Sequence, residues 1–146
     1  MPLALLGVDN ILFAVGDLER ALAFYRDQLG LPITFAVPEV GVVGLRLGGD
    51  QTGLILRSQD GLPEAGPRPT PRVWLVVADA RAADAALRAA GLTPLAPPFA
   101  VRTGWTVEIA DPWGNVLGLT DYTSAPQISP LTSNQTVQAA NTASGR

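Results

Sequence analysis

The chain has 146 residues, 47% of them hydrophobic, and a formal net charge of −3. That length fits one domain, typically about 100–200 residues, and the mild acidity argues against a nucleic-acid partner, which needs a basic face. All ten basic residues are arginines, and histidine and cysteine are absent, so Ser-His-Asp triads, thiol nucleophiles, thiolate metal sites and lysine Schiff bases are all excluded.

The opening Met1–Leu6 is apolar but carries no positive flank and is interrupted by Gly7 and Asp9. It is shorter than the roughly 20 apolar residues of a membrane span, so neither a signal segment nor a membrane partner is expected and the cytoplasm is the expected location. Val8 to Val15 is rich in β-branched and apolar residues and reads as a buried strand. Asp17 suits a helix N-cap, because its carboxylate accepts an orphan backbone N–H. Leu18, Ala21, Leu22, Tyr25 and Leu29 then form one helical stripe, closed by Gly30 and Pro32. Three strand-like runs follow at Ile33–Val37, Gly41–Leu47 and Thr52–Arg57, giving the order β-α-β-β-β.

The order then recurs. Arg72–Val77 reads as a strand, and Asp79 repeats the cap of Asp17 62 residues later. Ala80, Ala83, Leu87 and Ala90 give a helical stripe, and Gly91 matches Gly30. Leu92–Leu95, Arg102–Ala110 and Val116–Tyr122 supply three more strands. Between the last two, Asp111-Pro-Trp-Gly-Asn115 has Asp, Pro and Gly where a type I turn wants them. One domain over 1–122 is therefore expected, with module one at 7–60, a Pro/Gly-rich linker at 61–71 and module two at 72–122. The tail 123–146 is rich in Ser, Thr, Asn and Gln and reads by composition as disordered, or else as packing on a partner subunit. Residues 1–60 hold 7 acids against 4 arginines and residues 61–122 hold 6 against 5, so neither half presents a like-charge block.

The run Asn10-Ile-Leu-Phe-Ala-Val-Gly-Asp-Leu-Glu-Arg-Ala-Leu-Ala-Phe-Tyr-Arg-Asp-Gln-Leu-Gly30, with Asp79–Gly91 and Asp111-Pro-Trp-Gly-Asn115, resembles the vicinal oxygen chelate superfamily. This is the glyoxalase, bleomycin-resistance and extradiol-dioxygenase group, and the likeness covers about residues 7–122. It implies an α+β fold of two βαβββ modules forming a half-open barrel around a cleft, and often a homodimer. Metal-dependent members place a histidine on the first strand of one or both modules and a glutamate on the last strand of each. Aligned on Asp17, Asp79 and the Asp111 turn, those positions here hold Asn10, Arg72, Gly118 and either Leu54 or Ile55. None is the usual ligand, and Arg72 repels a divalent cation. No metal and no cofactor are expected, and the nearest relatives in kind are the metal-free members that sequester a ligand.

Strand alternation then predicts the lining. If Asn10 faces the cleft, so does Leu12; if Arg72 does, so does Trp74; if Gly118 does, so do Thr120 and Tyr122. Trp105 and Trp113 lie near turns, where an aromatic commonly packs a loop or a subunit seam; Trp105 is kept as a candidate ligand contact. Gly118 is expected to leave space where a ligating glutamate would stand. The mostly apolar lining with few polar groups fits a small-molecule site for a planar or anionic ligand. Glu108 is the one acid in its strand and either pairs with Arg72 or acts as a general base. Enzyme action is therefore undecided, leaning to none: the alternatives are metal-free proton transfer by Glu108, Asp121 or Tyr122, and an accessory domain whose own side chains close the cleft.

Overall fold

The computed structural model describes residues 4, 6, 8–49, 53–69 and 71–131. Its elements are β1 (Asn10–Val15), α1 (Leu18–Leu22), β2 (Ile33–Val37), β3 (Val42–Arg46), β4 (Gly53–Ser58), β5 (Val73–Val76), α2 (Ala80–Ala89), β6 (Phe99–Val101), β7 (Gly104–Ala110) and β8 (Val116–Thr120). They form two four-stranded sheets, ordered β1-β4-β3-β2 and β5-β8-β7-β6. In each, the first strand pairs parallel with the last and the other pairs are antiparallel. This is an α+β fold of the glyoxalase/bleomycin-resistance type, with the β-α-β-β-β order repeated.

Both helices start on the predicted caps. Asp17 and Asp79 have extended backbones, and their carboxylates accept from Arg20 N at 2.7 Å and from Arg81 N and Ala82 N at 2.9 and 3.0 Å. Both end at a glycine with positive φ, +79° at Gly30 and +83° at Gly91, a conformation a side chain disfavours. Between them the first helix departs from the prediction. It is α-helical only to Leu22 and widens to a π-helix over Ala23–Gln28, where Leu29 N bonds to Phe24 O. Adjacent Phe24 and Tyr25 are both buried there, edge to face with centroids 4.8 Å apart. The wider turn lets two neighbouring rings enter the core together.

One strand lies elsewhere than expected. Leu92–Leu95 is not a strand; β6 forms at Phe99–Val101, after Pro97 and Pro98. Proline donates no ladder hydrogen bond, so the apolar run around Pro94 makes a single bond to β7, Leu95 N to Glu108 O at 2.9 Å. The expected strand start at Thr52 lies outside the described residues.

The helix-facing sides of the two sheets share one core. Phe13, Val15, Leu45, Leu54 and Leu56 come from the first sheet, Val107, Ile109 and Leu117 from the second, and Phe24, Tyr25 and Leu87 from the helical segments. A polar bridge locks the modules. Tyr25 donates its hydroxyl to Asp111 at 2.7 Å, and Asn115 Nδ2 donates to Asp111 and to Ala14 O at 2.7 and 2.9 Å. Burial first, and then the Asp111 charge, raise the Tyr25 phenol far above its usual pKa, so it stays a donor. The segment 61–69 is strapped over the Asp111 turn: Ala65 N bonds to Pro112 O, and Arg68 bonds to Gly114 O and Trp113 O. Trp113 is buried beneath it. Beyond β8, Pro126–Ile128 makes a 3-10 turn, and the tail from 132 lies outside the described residues.

Candidate functional site

Because the core takes one side of each sheet, the other side of each is left open. On the first sheet the register sets Leu12, Ile55, Gly44 and Phe35 in one row across β1, β4, β3 and β2. Leu12 is 60% and Phe35 43% exposed. The Phe35 ring lies over Gly44, where a Cβ would fall 2.6 Å from Phe35 Cδ1. Asn10 sits on this face at the start of β1, its amide donating to Asp9 at 3.0 Å. The register also assigns the ligand-equivalent position: Ile55 pairs with Leu12 as Gly118 pairs with Trp74, so Ile55 rather than buried Leu54 faces the open side.

On the second sheet the matching row is Trp74, Gly118 and Glu108. Trp74 is 46% exposed and on the open side, with Phe99 tilted against it at 6.3 Å. Its indole covers Gly118: a Cβ there would come within 2.6 Å of Trp74 Nε1. The expected free space above Gly118 is therefore occupied by the neighbouring ring. Trp74 Nε1 donates to Glu108 Oε2 at 3.1 Å, and Arg72 Nη1 donates to Glu108 Oε1 at 2.7 Å. Arg72 and Glu108 thus form the ion pair, and each carboxylate oxygen already has a donor. Glu108 is the better covered partner, with its side chain 12% exposed against 41% for Arg72.

The remaining predicted residues divide. Thr120 faces this side but is buried, and its hydroxyl is bonded to that of Thr106 at 2.8 Å. Tyr122 lies just past β8, half-buried. Trp105 is a correction. It shares the parity of Val107 and Ile109, so it faces the helix side, where the Arg81 guanidinium stands 4.8 Å from its ring centroid. Strand alternation within β7 carried that signal; proximity to a turn obscured it. Asp121 is fully buried away from the open face, accepting from Ala80 N, Trp105 N, Thr123 N and Thr123 Oγ1. Burial works against its charge, but these four donors outweigh it and hold its pKa below the usual carboxylate value. Asp121 is a clamp joining α2, β7 and β8.

A family-type metal does not fit this arrangement. At the four equivalent positions stand Asn10, Ile55, Arg72 and Gly118, the last under an indole, and Arg72 would oppose a cation. Among the described residues no three His, Cys, Asp or Glu side chains converge.

The doubled sheet, the shared core and the open faces define a chain that belongs to the Glyoxalase/Bleomycin resistance protein/Dioxygenase superfamily, whose family model matches residues 7–119. Among solved structures it is similar to TnmS3, an antibiotic binding protein from Streptomyces sp. CB03234, at 25% identity and a TM-score of 0.69, covering 84% of this chain and 100% of that one. It is also similar to a superfamily member from Sphaerobacter thermophilus DSM 20745, at 27% identity and a TM-score of 0.65, covering 80% and 98%. A lactoylglutathione lyase from Agrobacterium tumefaciens shares the fold at 19% identity, with a TM-score of 0.62 over 83% and 97%. No curated protein sequence matches the chain. Among the described residues no helix is long and apolar enough to cross a membrane.

Proposed function

We propose that the protein is a metal-independent small-molecule binding protein of the bleomycin-resistance type, taking a planar or anionic ligand on the open face of its second sheet. The observation that carries this reading is Trp74: a half-exposed indole, backed by Gly118 and fixed by a bond to Glu108. Such a ring offers a rigid stacking surface, and the exposed Arg72 beside it offers donors to an acceptor-bearing group. The likeness to an antibiotic binding protein supports the reading. A proton-transfer enzyme is disfavoured, since both Glu108 oxygens are engaged and Asp121 is a buried clamp. In this reading the protein works in the cytoplasm, which cell fractionation checks.

The reading includes a homodimer. The two open faces lie on the outer sides of sheets that share one core, so a single chain does not bring them together over a ligand. Setting the first sheet of one copy against the second sheet of another covers Leu12 and Phe35 and encloses Trp74. Sedimentation tests this: the protein runs as a dimer and Leu12→Arg shifts it to monomer. A native monomer overturns that part.

The ligand test is tryptophan quenching by planar polycyclic aromatics, with and without a carboxylate, in excess chelator. Saturable quenching that is lost in Trp74→Ala and weakened for the carboxylates in Arg72→Ala supports the reading. Quenching that appears only when a divalent cation is added overturns it, as does a panel with no saturable member.

A further inference from the structure

On the core side the modules leave a pocket of about 310 Å³ between them. Leu47 bounds it from module one, Leu75 and Leu119 from the second sheet, Ala83 and Ala86 from α2, and Gln28 from the end of the π-helical segment. Leu75 and Leu119 alternate with Trp74 and Gly118 along β5 and β8, so the pocket lies on the opposite face of the sheet from the site above.

Its size and chemistry are specific. Ligand pockets begin near roughly 300 Å³, so this one reaches the size of a small-molecule site. The pocket is open to solvent on one side, where Gln28, Gly48 and Ala86 stand exposed, and its depth admits one or two fused rings. No charged side chain is among its described lining residues, so the pocket's apolar walls offer a charged guest no partner. Gln28 is the one polar side chain in that lining. Its Nε2 is committed to Ala90 O at 3.2 Å, and none of the hydrogen bonds among described residues ends on its Oε1. Gln28 is exposed at the pocket's mouth, so this oxygen can accept from water or from a guest.

We propose that this inter-module pocket is a second ligand site, taking a small uncharged molecule of one or two rings that carries a single hydrogen-bond donor. The site stands independently of the open-face reading. Because its walls come from both modules, occupancy stabilises their contact and the folded chain.

The test is a nitrogen–proton correlation NMR titration of the full chain with indole, which has two fused rings and one N–H, and with benzene, which has no donor. Saturable shifts are expected at Ala83, Ala86, Leu119 and the Gln28 side-chain amide. Ala86→Leu fills the pocket and weakens indole binding at least tenfold. Gln28→Ala weakens indole by about three- to tenfold, the worth of one hydrogen bond, and leaves benzene unchanged. If Ala86→Leu loses its dispersed spectrum, Ala83→Leu carries the same test. Shifts centred on Trp74 and Glu108, no saturable shift up to indole's solubility limit, or binding that survives the filled pocket each overturn the proposal. So does self-association abolished by Ala86→Leu, which would make the pocket a seam between copies.

Discussion

Replacing Gly118 with alanine tests whether Trp74 rests where a metal ligand would project. A Cβ at residue 118 falls 2.6 Å from Trp74 Nε1 and 2.9 Å from Cγ, too close for carbon, so the indole must leave. Its half-exposed position gives it a way out into solvent without moving β5. The loss is the bond to Glu108, about 0.5–1.5 kcal/mol, plus the contact of the covered half of the ring, about 1 kcal/mol. Alanine for glycine in a strand returns about 0.5–1 kcal/mol. The net is a destabilisation of about 1 kcal/mol, or about 4 °C in Tm for a domain of this size. The assay pairs a thermal melt with emission spectra, using Trp74→Phe to isolate the Trp74 contribution. That contribution shifts to the red in Gly118→Ala as the ring becomes solvated. If Gly118→Ala keeps the wild-type Trp74 emission and Tm, the ring does not cover Gly118 and the reasoning fails.

Restoring the family carboxylate with Gly118→Glu produces no zinc binding by calorimetry, because Arg72 and Ile55 remain at equivalent positions; a stoichiometric binding isotherm refutes this. Tyr25→Phe removes one of two donors to Asp111 Oδ2 and costs about 1.5 kcal/mol, read from the urea midpoint; an unchanged midpoint means the bridge between modules adds nothing. Asp121 predicts an acid limb in stability. Its folded pKa lies below the ordinary 3.8, so the unfolded chain takes up the proton first. The stabilisation is complete above the unfolded value and is lost as pH falls through the folded one. Asp121→Asn flattens that limb in a plot of Tm against pH, and an unaltered slope refutes the assignment.

Much of this was legible because duplication writes each signal twice. Asp17 and Asp79 cap helices seven residues after Asn10 and Arg72, and strand alternation from those anchors put Leu12 and Trp74 on open faces. What failed had local causes. Leu92–Leu95 looked like a strand because it is apolar, but Pro94, Pro97 and Pro98 deny it donors and move the ladder to Phe99. Trp105 is a candidate ligand contact in the sequence beside its turn-packing alternative, although its parity in β7, with Val107 and Ile109, assigns it to the helix side. The covering of Gly118 by Trp74 is a cross-strand fact, fixed by the β5–β8 register, and no spacing in the sequence carries it. The inter-module pocket is hidden for the same reason: its walls come from segments as far apart as Gln28 and Leu119.

The two halves have also diverged in a way that bears on assembly. Each covers a glycine on its open face with an aromatic from a neighbouring strand, Phe35 over Gly44 and Trp74 over Gly118. The glycines lie on different strands, β3 and β8, so one row is wholly apolar while the other keeps Glu108 and its Arg72 partner. A two-fold dimer that sets unlike faces together builds two identical clefts, each with one apolar and one polar wall. Mixing variants tests this. Leu12→Asn spoils only the first face and Trp74→Ala only the second, and each alone loses ligand binding. After the two are unfolded and refolded together, half the dimers are mixed, and each mixed dimer has one cleft with both walls intact. Titration then recovers about one quarter of the wild-type sites. If each cleft is built within one chain, no cleft in the mixture is intact and nothing is recovered. If like faces pair, Leu12→Asn alone keeps its second-face cleft and its binding. Either result refutes the cross-chain assembly.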